Sequence, residues 1–152
     1  MKFNLFPWII VSVSVCLDQI SKLYILRSAP FLPEEIFSFL SIVFVKNKGI
    51  SFGLFNHKGT LVFWVITLVI IFLTLYVAYM LYNAKKRDSM WGLSLVLGGA
   101  LGNIIDRFFH GGVIDFIDFH YAAYHWPAFN FADSFIFIGV ALLFKSNLKE
   151  HT

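Results

Sequence analysis

The chain has 152 residues, is 59% hydrophobic and only 14% charged, and carries a net charge of +3, with a mean hydropathy of +0.75. Soluble domains average about 25% charged residues, so this composition, with its 19% aromatic share, points to lipid. The length is that of one domain, the dispersed basic residues lack the patch that nucleic-acid binding needs, and the single cysteine, Cys16, excludes an intramolecular disulfide framework.

Four apolar segments approach the roughly 20 residues that cross a bilayer as a helix. They lie at about 6–26, 60–82, 91–109 and 128–148, the last being apolar mainly from Phe131 to Phe144. The predicted fold is an all-α membrane protein, a four-helix transmembrane bundle, with a small extracytoplasmic β-like segment between helices 1 and 2. Lys2 with the first apolar run and "VSVC" also resembles a cleavable lipoprotein signal. Val15 is bulky where such a box needs a small residue, and removing the run would leave an odd number of spans.

Within the first span, "CLDQISK" sets Asp18 and Lys22 four residues apart, acid first, the favourable order for an ion pair on one helix face. A structural pair closing the end of the span is the plain reading. The segment 27–59 is more than a loop. "FLPEEIFSFL" reads as a short interfacial helix with Glu34 and Glu35 toward water and Phe37, Phe39 and Leu40 toward lipid. "SIVFVKNKGISFGLF" alternates and reads as one or two short strands with a turn near Asn47-Lys48-Gly49.

The loop "NAKKRDS" carries Lys85, Lys86 and Arg87. Because Lys and Arg concentrate on the cytoplasmic side, it places both termini in the cytoplasm and the segments 27–59 and 110–130 outside. The third span ends "LGGALGNIIDRFFHGG". Gly98, Gly99 and Gly102 permit close helix approach, Asn103 and Asp106 share a face, and Arg107 follows. Asp106 and Arg107 could simply anchor the helix end, which would leave the inward polar face without a role.

"GGVIDFIDFH" reads as an extended or re-entrant piece in which Asp115 and Asp118 face opposite sides, their separation being odd. "HYAAYHWP" suits the headgroup level, where Tyr and Trp gather. In "NFAD", Asn130 and Asp133 match a helix cap with an acid three residues on, a capping role compatible with a place in a site.

Ionisable residues within spans mark a functional site by default. Two carboxylates converging in a poorly solvated place cannot easily both ionise, so one proton is shared. Such a pair supports acid–base hydrolysis of an amide, the ionised acid taking a proton from water and the protonated one binding the carbonyl. The five histidines show no HExxH spacing, Ser51 and Ser134 lack a GxSxG context, and no GxxxxGK[ST] phosphate loop is present. Neither metal nor cofactor is expected. Two rival classes remain: a small polytopic transporter or channel subunit using intramembrane charges, and a non-catalytic assembly protein. The gathering of polar residues at one end of the spans favours a surface-facing site over a transport path.

Together, "LDQISK", "VKNKGISFG", "LGGALGNIIDRF", "GGVIDFIDFH" and "WPAFNFADS", in that order, resemble the lipoprotein signal peptidases (signal peptidase II) of bacteria. The resemblance implies a multi-pass aspartic endopeptidase of the bacterial inner membrane. It would remove the signal peptide from diacylglyceryl-modified prolipoproteins, cutting before the lipidated cysteine, with membrane lipid and those prolipoproteins as partners and no need of more than a monomer. It assigns the catalytic pair to Asp115 and Asp133 and substrate-holding or orienting roles to Asn47, Asn103, Arg107 and Asn130. It makes Asp106 a partner of Arg107 or a brace, with Asp18 and Lys22 supporting. Asp106 stays the main rival within the dyad. The segment 42–54 is expected to cradle the substrate strand or close over it.

Overall fold

Pro7 falls in the first turn of the first helix, where its missing N–H is one of the helix's unpaired groups anyway. The computed structural model describes residues 5–49 and 59–148. Helix α1 spans Phe6–Ser28 and runs into a 3₁₀ turn at Ala29–Phe31; α2 spans Gly59–Asn83, α3 Arg87–His110 and α4 Phe131–Leu148. Among the described residues, three helical segments, 6–31, α2 and α3, are long and apolar enough to cross a membrane. Helix α4 has 18 residues, about 27 Å at 1.5 Å per residue. Helix α3 sits centrally and packs on α1, α2 and α4.

The outer surface of the bundle is apolar. Leu61, Leu68, Phe72, Leu75 and Tyr79 on α2, Ile20 and Leu23 on α1 and Phe137 on α4 are all exposed, far more contiguous apolar surface than water tolerates. Asp18, Lys22, Thr67, Ser94, Asp106 and Arg107, by contrast, are buried. Three buried hydroxyls bond within their own helices: Thr67, Thr74 and Ser94 donate to the carbonyls of Phe63, Ile70 and Met90 at 2.8, 2.7 and 2.7 Å.

Close approach explains the glycines of α3. A Cβ on Gly99 would collide with the carbonyl oxygen of Ala132, and one on Gly102 with the Asp18 carboxylate. The backbone of α3 therefore lies directly against the start of α4 on one side and the acid of α1 on the other. Gly111 ends α3 in the left-handed conformation at φ 62°, which a residue without Cβ adopts at little cost.

Both long connections become sheet. Strands β1 (Glu34–Phe37), β2 (Leu40–Asn47), β3 (Val113–Tyr121) and β4 (Tyr124–His125) form an antiparallel sheet in the order β1-β2-β3-β4. The interfacial helix expected over "FLPEEIFSFL" is corrected here: Glu34–Phe37 is the strand β1, paired with β2. The stretch from Glu34 to Leu40 is too short for a helix that must stand alone, whereas β2 supplies a ready edge. The all-α expectation is amended for the same reason. The β-like segment between helices 1 and 2 is joined by β3 from the α3–α4 connection, since a lone hairpin is marginal and a third strand stabilises it. The expected turn after β2 is present as an Asn47 side chain accepting the Gly49 N–H at 3.0 Å. A second strand beyond it, Gly53 and the 50–54 end of the expected lid fall in 50–58, outside the described residues, while 42–47 of that segment is part of β2.

Candidate active site

The site begins with one buried lysine. Lys22 Nζ lies 2.8 Å from Asp18 Oδ2 and 2.9 Å from Asp106 Oδ2, and donates to Asn103 Oδ1 at 2.9 Å. The ammonium has three protons, and each is used. The pairing of Asp18 with Lys22 expected on one face of α1 is therefore present, with Asp106 of α3 added to it.

Each carboxylate around Lys22 also ties elements together. Asp18 Oδ1 accepts the Ala132 N–H at the start of α4, 2.9 Å away, where the positive helix end favours an anion. Asp106 Oδ2 accepts the Ile114 N–H of β3 at 3.0 Å. Gln19 Nε2 donates to Asp106 Oδ1 at 3.0 Å, and to the Gly102 carbonyl and Asp18 Oδ2, each at 3.2 Å. Asp106 is thus a brace between α1, α3 and β3. Its ion pair is with Lys22 and not with the adjacent Arg107, whose NH2 group donates instead to the Gly49 carbonyl.

Lys22 has a second consequence. By occupying Asn103 Oδ1, it turns the amide nitrogen of Asn103 the other way, onto Asp133 Oδ1 at 2.9 Å. Asn130 is fixed by the same logic. Its Oδ1 accepts the Asp133 N–H at 2.9 Å, so its Nδ2 faces Asp115 Oδ1 at 2.7 Å. Asn47 spends its Oδ1 on Gly49 and donates Nδ2 to Asp115 Oδ2 at 3.1 Å. Three amides are locked with their donors toward two carboxylates.

The cap at α4 is reciprocal: Asn130 N donates back to Asp133 Oδ2 at 3.3 Å. Asn130 and Asp133 thus form the capping pair read in "NFAD" and face the site at once. Asp115 reaches the same place from β3. Its backbone is opposite Val45 in the β2–β3 register, while Asn47 is opposite Val113, so the Asn47–Asp115 bond runs diagonally across the ladder. Burial first, then the Asp133 charge, push the Asp115 carboxyl up to about 7, against the opposing pull of Asn47, Asn130 and Lys22.

Asn47, Asn103, Arg107, Asp115 and Asp133 together line a cleft of about 920 Å³. Ile70 and Leu73 of α2 and Ile136, Phe137 and Val140 of α4 give it apolar walls, and Trp126–Phe129 form another part of its lining. The Arg107 guanidinium sits 5.4 Å over the Phe63 ring, and its Nε and Nη1 lack hydrogen-bond partners among the described residues. The residues predicted from sequence thus fall into two connected layers. Asp115, Asp133, Asn47, Asn103 and Arg107 face the cleft, Asn130 holds the two acids from behind, and Asp18, Lys22 and Asp106 brace them. Gln19 was missed, although it stands inside "LDQISK", because only the α1–α3 contact shows what it holds. The apolar walls from α2 and α4 carry no motif at all.

A sequence profile described as Signal peptidase (SPase) II matches residues 10–149. Among curated proteins, the lipoprotein signal peptidase of Burkholderia thailandensis is 40% identical over 147 residues, covering 95% of this chain and 89% of the relative. That of Burkholderia vietnamiensis is 41% identical over the same shares. A solved bacterial membrane enzyme superposes with a TM-score of 0.79 at 34% identity, covering 99% of this chain and 92% of the other. A second, also a bacterial membrane enzyme, gives 0.79 at 31% identity, with 97% and 95% covered. Similarity of this extent in sequence and in fold shows that the chain belongs to the signal peptidase II family of aspartic peptidases.

Proposed function

We propose that this single-domain chain removes the signal peptide from diacylglyceryl-modified prolipoproteins, cutting before the lipidated cysteine, with Asp115 and Asp133 as its acid–base pair. The observation that carries this reading is the convergence of two acids from separate elements on one cleft, each held by amide donors. One acid is ionised and takes a proton from water as the oxygen attacks the scissile carbonyl. The other is protonated and hydrogen-bonds the carbonyl oxygen as charge develops there. The proton gained from water then passes to the departing amine, and the pair returns to sharing one proton.

Asn47 and Asn130 orient Asp115, and Asn103 orients Asp133. Arg107 offers Nε and Nη1 to a substrate carbonyl. The apolar walls let the diacylglyceryl chains stay in lipid between α2 and α4 while the peptide reaches the polar end. The segment 42–54, of which 42–47 belongs to β2, cradles the peptide strand or closes over it. Helix α4 serves as a fourth span, and both termini and the Lys85–Arg87 turn face the cytoplasm. The cleft then opens at the outer face of the bacterial inner membrane, and one copy of the chain suffices.

The test is cleavage of a diacylglyceryl prolipoprotein by purified wild type, Asp115→Asn and Asp133→Asn. Loss of a general acid or base costs about 10²–10⁴-fold; each variant should lose at least that much turnover while keeping its helical circular dichroism. Near-normal turnover by either variant would remove that residue from the pair.

A further inference from the structure

Strand pairing assembles a second cluster, which the peptidase reaction leaves unused. Asp118 and His120 are two residues apart on β3, so their side chains leave the same face of the strand. His125 on β4 is the register partner of His120, which sets its side chain beside that of His120. Asp118 Oδ2 lies 2.8 Å from His125 Nδ1 and 3.9 Å from His120 Nδ1. The two imidazoles stack with centroids 5.1 Å apart and planes 24° from parallel. One ligand atom from each of the three residues lies within 4.8 Å of the other two.

A hydrogen-bonded Asp118–His125 pair accounts for only part of this. It leaves His120 Nδ1 buried without a hydrogen-bond partner among the described residues, a costly state for a ring nitrogen. An ion accepting electron pairs from both rings and the carboxylate satisfies all three at once. We propose that Asp118, His120 and His125 form a binding site for a divalent transition metal of the zinc class on the β3–β4 hairpin, separate from the Asp115–Asp133 cleft.

The donor set fixes the class. Two imidazole nitrogens and one carboxylate oxygen suit zinc and its first-row neighbours, with a fourth position left to water. Calcium and magnesium prefer all-oxygen shells. Ligand bonds of about 2.0–2.2 Å in a tetrahedron set neighbouring donor atoms roughly 3.3 Å apart, and the observed 2.8 and 3.9 Å bracket that spacing. The His125 side chain is 56% exposed, so its rotation can close the widest separation without disturbing the sheet. The bound ion would clamp β3 to β4 just before Trp126–Phe129, the segment that lines the cleft.

The test uses the full chain, purified without a histidine tag, stripped by chelator and titrated with zinc chloride by calorimetry. Cobalt(II) absorption reports the coordination. Wild type should bind one equivalent, show the visible bands of four-coordinate cobalt and unfold at higher temperature with zinc. His125→Ala, at an exposed position that leaves folding intact, should weaken binding at least tenfold. Even loss of an outer-shell partner costs about 10–100-fold. His120→Ala should do the same, and His110→Ala should change nothing. No binding by wild type up to about 1 mM zinc, or equal affinity in wild type, His120→Ala and His125→Ala, would overturn the proposal.

Discussion

Replacing Asp115 by Asn tests the electrostatics of the cleft independently of any substrate. Burial and the nearby Asp133 move the Asp115 carboxyl from 3.8 to about 7. Between about pH 4 and pH 7 the folded chain therefore holds a proton that the unfolded chain releases. Stability from this group is fully present below pH 4, falls as the pH rises through that window, and is lost above pH 7. A displacement from 3.8 to about 7, at about 1.4 kcal/mol per pH unit, is worth at most about 4 kcal/mol. Asparagine has the same shape and cannot ionise, so it removes that slope. At pH 4 the variant should be the less stable by about 1–3 kcal/mol, since its amide leaves Asn47 or Asn130 without an acceptor. Between pH 4 and pH 8 it should gain on wild type by up to about 4 kcal/mol. Unfolding in detergent, followed by circular dichroism at matched pH values, gives the difference, in which the carboxylates not coupled to Asp115 cancel and Asp133, which faces it, contributes to the same slope. Parallel wild-type and variant profiles would refute the argument that burial and Asp133 control this carboxyl.

Lys22→Met should cost about 3–5 kcal/mol of stability, because it strands two carboxylates that are both fully buried. Adding Asp18→Asn and Asp106→Asn should recover part of that loss in the same unfolding assay. Gly99→Ala drives a methyl group into the carbonyl of Ala132, next to Asp133, and overpacking of this kind costs about 1–3 kcal/mol. Turnover at a temperature where the variant remains folded should still fall, because the start of α4 is displaced.

The helices were legible because their apolar runs are long and their interruptions few: α2 spans Gly59–Asn83 against an expected 60–82. The charged positions were legible for a complementary reason. A carboxylate is expensive among Phe and Ile, so Asp18, Asp106, Asp115 and Asp133 stood out as residues needing partners. Identifying those partners required the fold. Nothing within "LDQISK" shows that Asp18 receives the Ala132 N–H or that Lys22 reaches Asn103, because both contacts join segments far apart in sequence. Strand β1 was misread because Glu34, Glu35, Phe37 and Phe39 divide polar from apolar in a way that suits a short surface helix as well as an edge strand. Pairing with β2 decided between them. The His120–His125 proximity is equally a product of register, and a search for helical zinc spacing passes over it.

The arrangement around Lys22 also bears on why a membrane peptidase would hold so many charges away from its reacting pair. Asparagine side chains near two acids could present either their oxygen or their nitrogen, and the wrong choice would repel a carboxylate. Lys22 removes that freedom at Asn103 by occupying its oxygen, and the α4 N-terminus removes it at Asn130. A lysine alone would be an unpaired buried cation; Asp18 and Asp106 both pair with it, and each also fixes a neighbouring backbone segment. The supporting charges thus act through orientation. They set the donors toward Asp115 and Asp133 before substrate arrives, so the proposed reaction needs little reorganisation as charge moves between the acids and water.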